Sequence, residues 1–314
     1  VPGFGRGRTG GEQTQMTGDA PVHYLIPEVE SHKTPVVMVP GLGLTSYIYL
    51  STPDGREGWA QRFVRAGFAA YVMDPPNTGV SGFRVGSSEE AGAGGAASFM
   101  VWPNESVWQR WGFGPEPGVP FDDTRYPVKD VHQLLCSITP VYTGGGRQSG
   151  GTGRRGRGGG RGRSRRGGGM AGSSDTSSAL GMLLQKTGPA VVIVHSAAGR
   201  AGFNVARAHS ELVKALIVVE PVGAVTDPAE IRLRFADTPY LAVFGDHFES
   251  RRMQGRFDGC REMARLLTEA GGRAEVMRLP ELGIHGNTHL LMQDNNSHDI
   301  AGKIIRWING AVED

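Results

Sequence analysis

The stretch that decides the fold reads Val191-Val192-Ile193-Val194-His195-Ser196-Ala197-Ala198-Gly199. The run of β-branched residues predicts a buried strand, and the small residues after Ser196 predict a sharp turn into a helix. A turn of this kind holds a hydroxyl oxygen clear of the backbone, where a general base can reach it. The stretch therefore indicates an α/β sheet and marks Ser196 as a candidate nucleophile.

Ser196 also has a simpler interpretation as the N-cap of the following helix, since serine is favoured at that position. Val194 and Ala198 stand where the G-x-S-x-G signature has glycines, so that signature is not met. Residues downstream favour the nucleophile, because Glu220 comes after a second apolar run and His289 lies near the C-terminus. Serine, acid and histidine thus occur in the chain order of a large group of serine hydrolases.

Short β-branched runs alternate with helical patterns along most of the chain. The predicted parallel strands cover residues 36–39, 68–73, 191–194, 215–219, 241–244 and 274–277. The predicted helices cover residues 58–66, 198–209, 254–270 and 300–311. Residues 22–26 predict an antiparallel edge strand. This alternation predicts the α/β class, with a mostly parallel, doubly wound sheet and helices on both faces.

The alternation breaks once, between residues 83 and 180. We expect a lid inserted there, above the carboxyl ends of the strands, where ligands of such sheets bind. The predicted core then comprises residues 19–82 and 181–314, and the Gly-rich residues 1–18 predict a flexible N-terminal segment.

Within the predicted lid, residues 144–169 contain 14 Gly and 8 Arg and no acidic residue. A segment so poor in apolar side chains predicts a mobile surface loop. Arg/Gly runs also occur in nucleic-acid-binding tails, but the aromatic residues that would stack on bases are absent from this one. We therefore do not expect nucleic acid as a partner, although a binding protein that uses this tract is the alternative from another functional class.

The bulk composition sets further limits. Two cysteines among 314 residues exclude a disulfide scaffold and leave open whether Cys136 and Cys260 pair. The sequence contains no apolar stretch of the roughly 20 residues that a membrane span requires. The chain begins with Val1 instead of Met, so a leader could have been removed; we favour a secreted or periplasmic location over a cytoplasmic one. A homodimer is compatible with the sequence, which leaves the oligomeric state open.

A glycine-containing turn, Pro40-Gly41-Leu42-Gly43-Leu44-Thr45, follows the first predicted parallel strand. Backbone amides from such a loop, together with the amide after the nucleophile, can stabilise the oxyanion of an acyl-transfer reaction. We assign this role to Leu42 and Ala197, with Gly43 as an alternative to Leu42. A plain glycine turn without a catalytic role is the other interpretation.

Four local motifs accompany these candidates. They read Thr52-Pro53-Asp54-Gly55-Arg56-Glu57-Gly58-Trp59, Tyr71-Val72-Met73-Asp74, Gly245-Asp246-His247 and Gly286-Asn287-Thr288-His289. Over residues 20–310, apart from the Gly/Arg tract, the chain resembles α/β-hydrolase esterases, and within them a subgroup of microbial serine esterases. The resemblance implies an α/β-hydrolase fold and a triad of Ser196, Glu220 and His289. Pro40 departs from the pattern, since close relatives commonly carry His there.

Other residues compete for the acid and base roles. Asp246 ends the strand that more usually supplies the acid, but the earlier strand requires a longer side chain, and Glu220 provides one. We favour Glu220 and keep Asp246 as the alternative acid. His285, His289 and His298 follow the last strand, and the motif resemblance points to His289. His195 adjoins Ser196, but we expect its side chain to point away from the nucleophile and to serve in packing.

Together these residues predict a carboxylic ester hydrolase that forms a serine acyl-enzyme on a small to medium apolar ester. A lactonase or an acyltransferase with the same triad is the alternative. Trp102, Trp108 and Trp111, in the predicted lid, are candidates for lining the substrate pocket. We expect neither a cofactor nor a metal, because the sequence contains no compact set of metal ligands.

Overall fold

The computed structural model describes residues 19–83, 99–142 and 172–312. The predicted N-terminal segment 1–18 and the Gly/Arg tract 144–169 lie outside the described residues. Nine strands are formed within these three ranges. They are β1 (Val22–Leu25), β2 (Val36–Val39), β3 (Ala70–Met73), β4 (Phe99–Met100), β5 (Val141–Tyr142), β6 (Ala190–His195), β7 (Val213–Val219), β8 (Tyr240–Phe244) and β9 (Ala274–Arg278).

Seven of these strands form one sheet in the order β1-β3-β2-β6-β7-β8-β9. β1 pairs antiparallel with β3 at the edge, and every other neighbouring pair in this sheet is parallel. The predicted parallel strands and the antiparallel edge strand are thus confirmed. β4 and β5 form a separate antiparallel pair.

Ten α-helices accompany the strands in the described ranges. They are α1 (Tyr47–Leu50), α2 (Trp59–Arg65), α3 (Asn104–Arg110), α4 (Val131–Ser137), α5 (Gly172–Thr187), α6 (Gly199–Ala208), α7 (Pro228–Arg234), α8 (Phe248–Arg251), α9 (Gln254–Glu269) and α10 (Ser297–Ala311). No helix in these ranges combines the length and apolar character that a bilayer crossing requires.

The sheet separates two apolar cores. Helices α2 and α10 pack on one face, and α5, α6, α7 and α9 pack on the other. Along β6, Val191 and Ile193 belong to the first core, and Val192 and Val194 belong to the second. Successive side chains of a strand point to opposite faces, so a strand covered on both faces reads as one continuous apolar run. The predicted doubly wound α/β architecture is confirmed.

Residues 99–142 contribute to the first core through Trp111, Phe113, Tyr126, Val131 and Leu134. This part of the predicted insertion therefore packs on the same face of the sheet as α2 and α10. Helix α5 begins before residue 180, where the predicted insertion ends, and packs against α6; Nδ2 of Asn204 donates to Oγ of Ser177 at 3.2 Å. Both described parts of the predicted insertion thus pack on the core of the protein.

Candidate active site

Ser196 stands at the step between β6 and α6. Strand β6 ends at His195, a single 3₁₀ turn covers Ser196–Ala198, and α6 begins at Gly199. Ser196 has φ +51°, a left-handed conformation that costs free energy in any residue with a side chain. A Cβ at Gly41 would lie 2.9 Å from Cβ of Ser196, so the glycine turn approaches the serine closely. The left-handed step is the backbone geometry expected of a nucleophile elbow.

Glu220 and His289 meet although they are distant in sequence. Glu220 directly follows β7, is fully buried and also has a left-handed backbone, with φ +44°. Its Oε2 lies 2.6 Å from Nδ1 of His289. An ionised carboxylate only accepts hydrogen bonds, so Nδ1–H donates and Nε2 retains its lone pair. This is the tautomer that a general base requires.

Asp246, the alternative acid, contacts residues 285 and 286, which precede His289 in the chain. Its Oδ2 accepts from the Gly286 amide at 3.1 Å and lies 3.3 Å from Nδ1 of His285. Its Oδ1 accepts from the His247 amide at 2.7 Å. Asp246 therefore orders the segment that precedes His289. His298, another histidine that follows the last strand, is also not available as the base, because its Nε2 donates to the carbonyl of Glu57 at 2.8 Å.

The carboxylate of Glu220 has two further partners. The Gly245 amide donates to Oε1 at 2.8 Å. Arg251, whose side chain is fully buried, donates through Nη2 to Oε1 at 2.6 Å and through Nη1 to Oε2 at 2.9 Å. Sequence reasoning missed Arg251, because it lies 31 residues beyond Glu220 among charged residues that look like a surface.

These contacts set the charge states of the pair. Burial alone would raise the pKa of Glu220, but the charge of Arg251 and the hydrogen bond from His289 lower the pKa to about 2. Burial lowers the pKa of His289, and Arg251 and Arg256 add to this, while Glu220 opposes it. The net pKa of His289 lies below its ordinary value of 6.5. Near neutral pH the glutamate is therefore charged and the imidazole neutral.

His195 packs beside the candidate base. It is fully buried, its ring centroid lies 4.4 Å from that of His289, and its Nε2 donates to the His289 carbonyl at 2.9 Å. Burial and the neighbouring imidazole hold the pKa of His195 well below its usual range. His195 therefore packs against His289, the candidate base.

A buried carboxylate organises the loop that carries His289. Asp294 accepts from the amide of Thr288 at 2.9 Å, from its hydroxyl at 2.7 Å and from Nδ2 of Asn287 at 2.8 Å. Burial raises the pKa of Asp294 to about 6, and these hydrogen bonds lower it only in part. The Asn and Thr of the Gly286–His289 motif thus fix the backbone just before His289.

The Thr52–Trp59 motif supports the same loop from the other side. Arg56 donates through Nη1 to the carbonyl of Asp294 at 3.1 Å and through Nη2 to the carbonyl of Gln293 at 3.1 Å. Nε1 of Trp59 donates to the carbonyl of Ser297 at 2.9 Å. Two motifs that are more than 200 residues apart in sequence therefore form one structural unit around the His289 loop.

The glycine turn after β2 borders an apolar pocket. Gly43 has φ +76°, and the Leu42 carbonyl accepts from Nε1 of Trp102 at 2.9 Å. The Leu42 amide makes no hydrogen bond within the described residues. The pocket has an enclosed volume of about 80 Å³ and opens to solvent. Its lining includes Pro40, Leu42, Tyr142, Ala197, Arg200 and Val222. Leu42 and Ala197, the predicted oxyanion residues, thus face one cavity.

The three candidate pocket tryptophans occupy different environments, and none is among the residues that line this pocket. Trp102 binds the Leu42 carbonyl and packs edge-on against Trp111, with ring centroids 5.9 Å apart. The carbonyl of Trp111 accepts from the His289 amide at 2.8 Å. Trp108 packs edge-on against Phe113 at 5.9 Å. Trp102 and Trp111 therefore contact the backbone of the candidate site.

One cluster in the described ranges has donor atoms close enough to share a metal ion, within 4.8 Å of one another: Asp123, Asp246 and His247. Nε2 of His247 lies 2.9 Å from Oδ1 of Asp123, so these side chains already pair with each other.

Cys136 and Cys260, whose pairing the sequence leaves open, are both free thiols.

Comparisons with known proteins agree with the fold. The chain is 24% identical over 343 residues to a probable secreted lipase, phiG, from a fungal species (Fungal sp., strain ATCC 74256); the match covers 91% of this chain and 85% of the lipase. A solved structure described as a novel bacterial esterase superposes with a TM-score of 0.77 at 28% identity, covering 94% of this chain and 86% of that one. No protein-family model matches the chain. The chain therefore has the α/β-hydrolase fold, and its similarity to an esterase and to a lipase supports a hydrolase of this type.

Proposed function

We propose that this protein is a serine carboxylic ester hydrolase with Ser196 as nucleophile, His289 as general base and Glu220 as the acid that orients the base. The observation that carries the proposal is the 2.6 Å contact between Nδ1 of His289 and Oε2 of Glu220. The left-handed Ser196, at the end of a central strand of the same sheet, supplies the third member. The esterase and lipase relatives support the same class of reaction.

In this mechanism Nε2 of His289 takes the proton of Ser196 as its oxygen attacks the ester carbonyl. The imidazolium then gives this proton to the leaving alcohol, and an acyl-enzyme remains. His289 next activates a water molecule, which releases the acid and restores Ser196. Glu220 holds the imidazole in the required tautomer and stabilises its charged form.

The amides of Leu42 and Ala197 are proposed to bind the oxyanion, with Gly43 as the alternative to Leu42. Two observations support this role: both residues line the same pocket, and the Leu42 amide has no hydrogen-bond partner in the described ranges. An amide left free in the resting protein can donate to negative charge that develops during the reaction, without first breaking another bond.

The pocket supports a small to medium apolar ester as substrate. Its lining is largely aliphatic, with Arg200 and Tyr142 among the few polar groups. The tryptophan-rich segment is proposed to act as a lid whose rings support the site. The name of the fungal relative, a probable secreted lipase, supports a location outside the cytoplasm.

The test is a panel of p-nitrophenyl esters of increasing acyl length, combined with a serine-reactive phosphonate whose adduct is mapped by mass spectrometry. Ser196→Ala is expected to lower kcat about 10⁴-fold or more and to abolish the adduct, with an unchanged thermal unfolding midpoint. Ser210→Ala, at an exposed position that begins a 3₁₀ turn, is the matched control and is expected to match the wild type. Wild-type hydrolysis by Ser196→Ala, or an adduct on another serine, would refute the proposal.

Product analysis separates the esterase from the alternatives within the class. Release of free acid from linear esters supports the esterase. Faster ring opening of lactones, or transfer of the acyl group to an added alcohol in preference to water, would assign a lactonase or an acyltransferase instead.

A further inference from the structure

Arg251 binds the carboxylate of Glu220 in a fully buried, two-pronged ion pair. Nη1 and Nη2 each donate to a different carboxylate oxygen, at 2.9 and 2.6 Å, and both side chains have no exposed surface. A guanidinium fork matched to a carboxylate in this way restricts both the position and the rotation of the carboxylate. Oε2, the oxygen that Nη1 binds, is the same atom that accepts from His289.

A buried carboxylate without such a partner would be costly, because it would have lost its hydration without compensation. The imidazole alone does not compensate it, since His289 has to remain neutral between turnovers. The Gly245 amide supplies one further hydrogen bond, at 2.8 Å to Oε1. Arg251 is therefore the permanent positive charge that keeps Glu220 ionised and correctly placed.

We propose that Arg251 is a positioning residue of the triad, seated by Gly112 of the inserted segment, which holds Glu220 in the orientation that aligns His289. This inference rests on the function proposed above. It assigns Arg251 no contact with the substrate, and it makes residues 99–142 part of the support of the catalytic groups.

The segment reaches the triad at two adjacent residues. The Trp111 carbonyl accepts from the His289 amide at 2.8 Å. A Cβ placed on Gly112 would lie only 2.4 Å from Cδ of Arg251, so a glycine is required for the arginine to keep its position. The adjacent residues Trp111 and Gly112 thus contact the backbone of His289 and the side chain of Arg251, respectively.

The His289 imidazole interacts electrostatically with four titratable or charged side chains: Glu220, Arg251, Arg256 and His195. Nη1 of Arg256 donates to the Glu220 carbonyl at 3.2 Å, so this arginine stays in place when Arg251 is changed. Removing the Arg251 charge favours the imidazolium form of His289. The acid limb of the pH–rate profile should therefore move to higher pH.

The first experiment compares Arg251→Met, Arg251→Lys and the control Arg252→Met in the full-length protein. Arg252 is exposed and directly adjacent, which makes it a matched control. For a short p-nitrophenyl ester, Arg251→Met is expected to lower kcat about 100-fold with little change in KM. In this variant the pKa of the acid limb of the pH–rate profile is expected to rise by about one unit. Arg251→Lys keeps the charge without the fork, so its acid limb should stay near the wild-type position while kcat recovers only in part.

The second experiment leaves the charge of Arg251 unchanged and displaces its side chain instead, so it remains informative if Arg251→Met fails to fold. Gly112 and Gly118 both have φ +82°, but a Cβ on Gly118 meets nothing within 4 Å. Gly112→Ala and Gly118→Ala therefore carry the same backbone strain, and only the first displaces Arg251. We expect Gly112→Ala to lower kcat at least tenfold and to change the acid limb, and Gly118→Ala to retain the wild-type profile.

The proposal is overturned if folded Arg251→Met retains the wild-type kcat and acid limb. It is equally overturned if Gly112→Ala and Gly118→Ala lose activity to the same extent with unchanged pH profiles. Failure of the proposed function has a different signature, since the wild-type protein would then hydrolyse no ester and Ser196 would not react with the phosphonate.

Discussion

Nδ1 of His289 and Oε2 of Glu220 lie 2.6 Å apart, across 69 residues of sequence. The strand that precedes Asp246 is adjacent to the one that precedes Glu220, so the two carboxylates leave neighbouring strands of the same sheet. Asp246 nevertheless binds the Gly286 amide and lies beside His285, and Glu220 is the carboxylate that meets the imidazole.

A pair of isosteric substitutions tests this division of roles. Glu220→Gln removes the charge that orients His289 and should lower kcat about 10²–10⁴-fold, by comparison with the loss of a triad aspartate in other serine hydrolases. Asp246→Asn should lower kcat less than tenfold, because it alters only the support of the preceding loop. Steady-state kinetics of both variants, with unfolding curves as the folding control, measure the difference. A larger loss in Asp246→Asn would assign the acid to Asp246.

The charge state of His289 predicts the acid limb of the pH–rate profile. The mechanism requires neutral His289, and burial, with Arg251 and Arg256, holds its pKa below 6.5. As the pH falls, kcat/KM should therefore begin to decline only below 6.5, where the imidazole becomes protonated. Glu220, with a pKa of about 2, stays charged across this range. The measurement is kcat/KM for a neutral ester between pH 4 and 8; an acid-limb pKa above 6.5 would contradict the assignment.

Trp102 and Trp108 are expected to behave differently although both are candidates for the substrate pocket. Trp102→Phe removes the hydrogen bond at 2.9 Å that holds the Leu42 carbonyl, and so loosens the loop that carries a proposed oxyanion amide. We expect kcat to fall about tenfold with KM nearly unchanged. Trp108→Phe loses a bond at 3.3 Å to the Val119 carbonyl, away from that loop, and should change kcat less than twofold.

The same pair of variants also tests the alternative role. If either tryptophan lines the acyl pocket, its replacement should raise KM in a way that depends on acyl length. KM values measured across the ester panel distinguish this outcome from a loss of kcat at constant KM.

Arg56 is expected to stabilise the fold and the site together. Arg56→Met removes the hydrogen bonds to the carbonyls of Gln293 and Asp294, at a cost of about 2–3 kcal/mol in the free energy of unfolding. Because the His289 loop loses its support, kcat should also fall. Arg65→Met, which breaks only an exposed ion pair with Glu57, is the control and should change little. Urea unfolding combined with ester kinetics measures both effects, and equal stability of the two variants would contradict this role.

Much of the architecture can be read from local patterns. The six parallel strands are predicted because each is a short, mostly apolar run. In β2, β3, β6, β7 and β8 nearly all of these residues are buried, as expected for strands covered on both faces, whereas in β9, at the edge of the sheet, only Met277 is buried. The helices predicted at 58–66, 198–209, 254–270 and 300–311 agree to within three residues with α2, α6, α9 and α10. Ser196 stands out because the strand-to-helix step needs small residues around it.

The supporting contacts of the site cannot be read in this way. Arg251 looks like one more surface charge in the sequence, and nothing near it in the chain indicates that its guanidinium is buried on Glu220. The close approach of Gly112 to that arginine and the contact of Trp111 with His289 join segments that are far apart in sequence.

Local chemistry along the chain was sufficient to specify the seven strands of the main sheet, the turn at Ser196 and the residue types available for acid and base. Which carboxylate reaches His289, and what holds that carboxylate in place, depends on contacts made when β7, α8 and the 99–142 segment come together. The physical reason is that propensity and periodicity act over a few neighbouring residues, whereas a buried ion pair forms only between groups that folding brings into contact and removes from water.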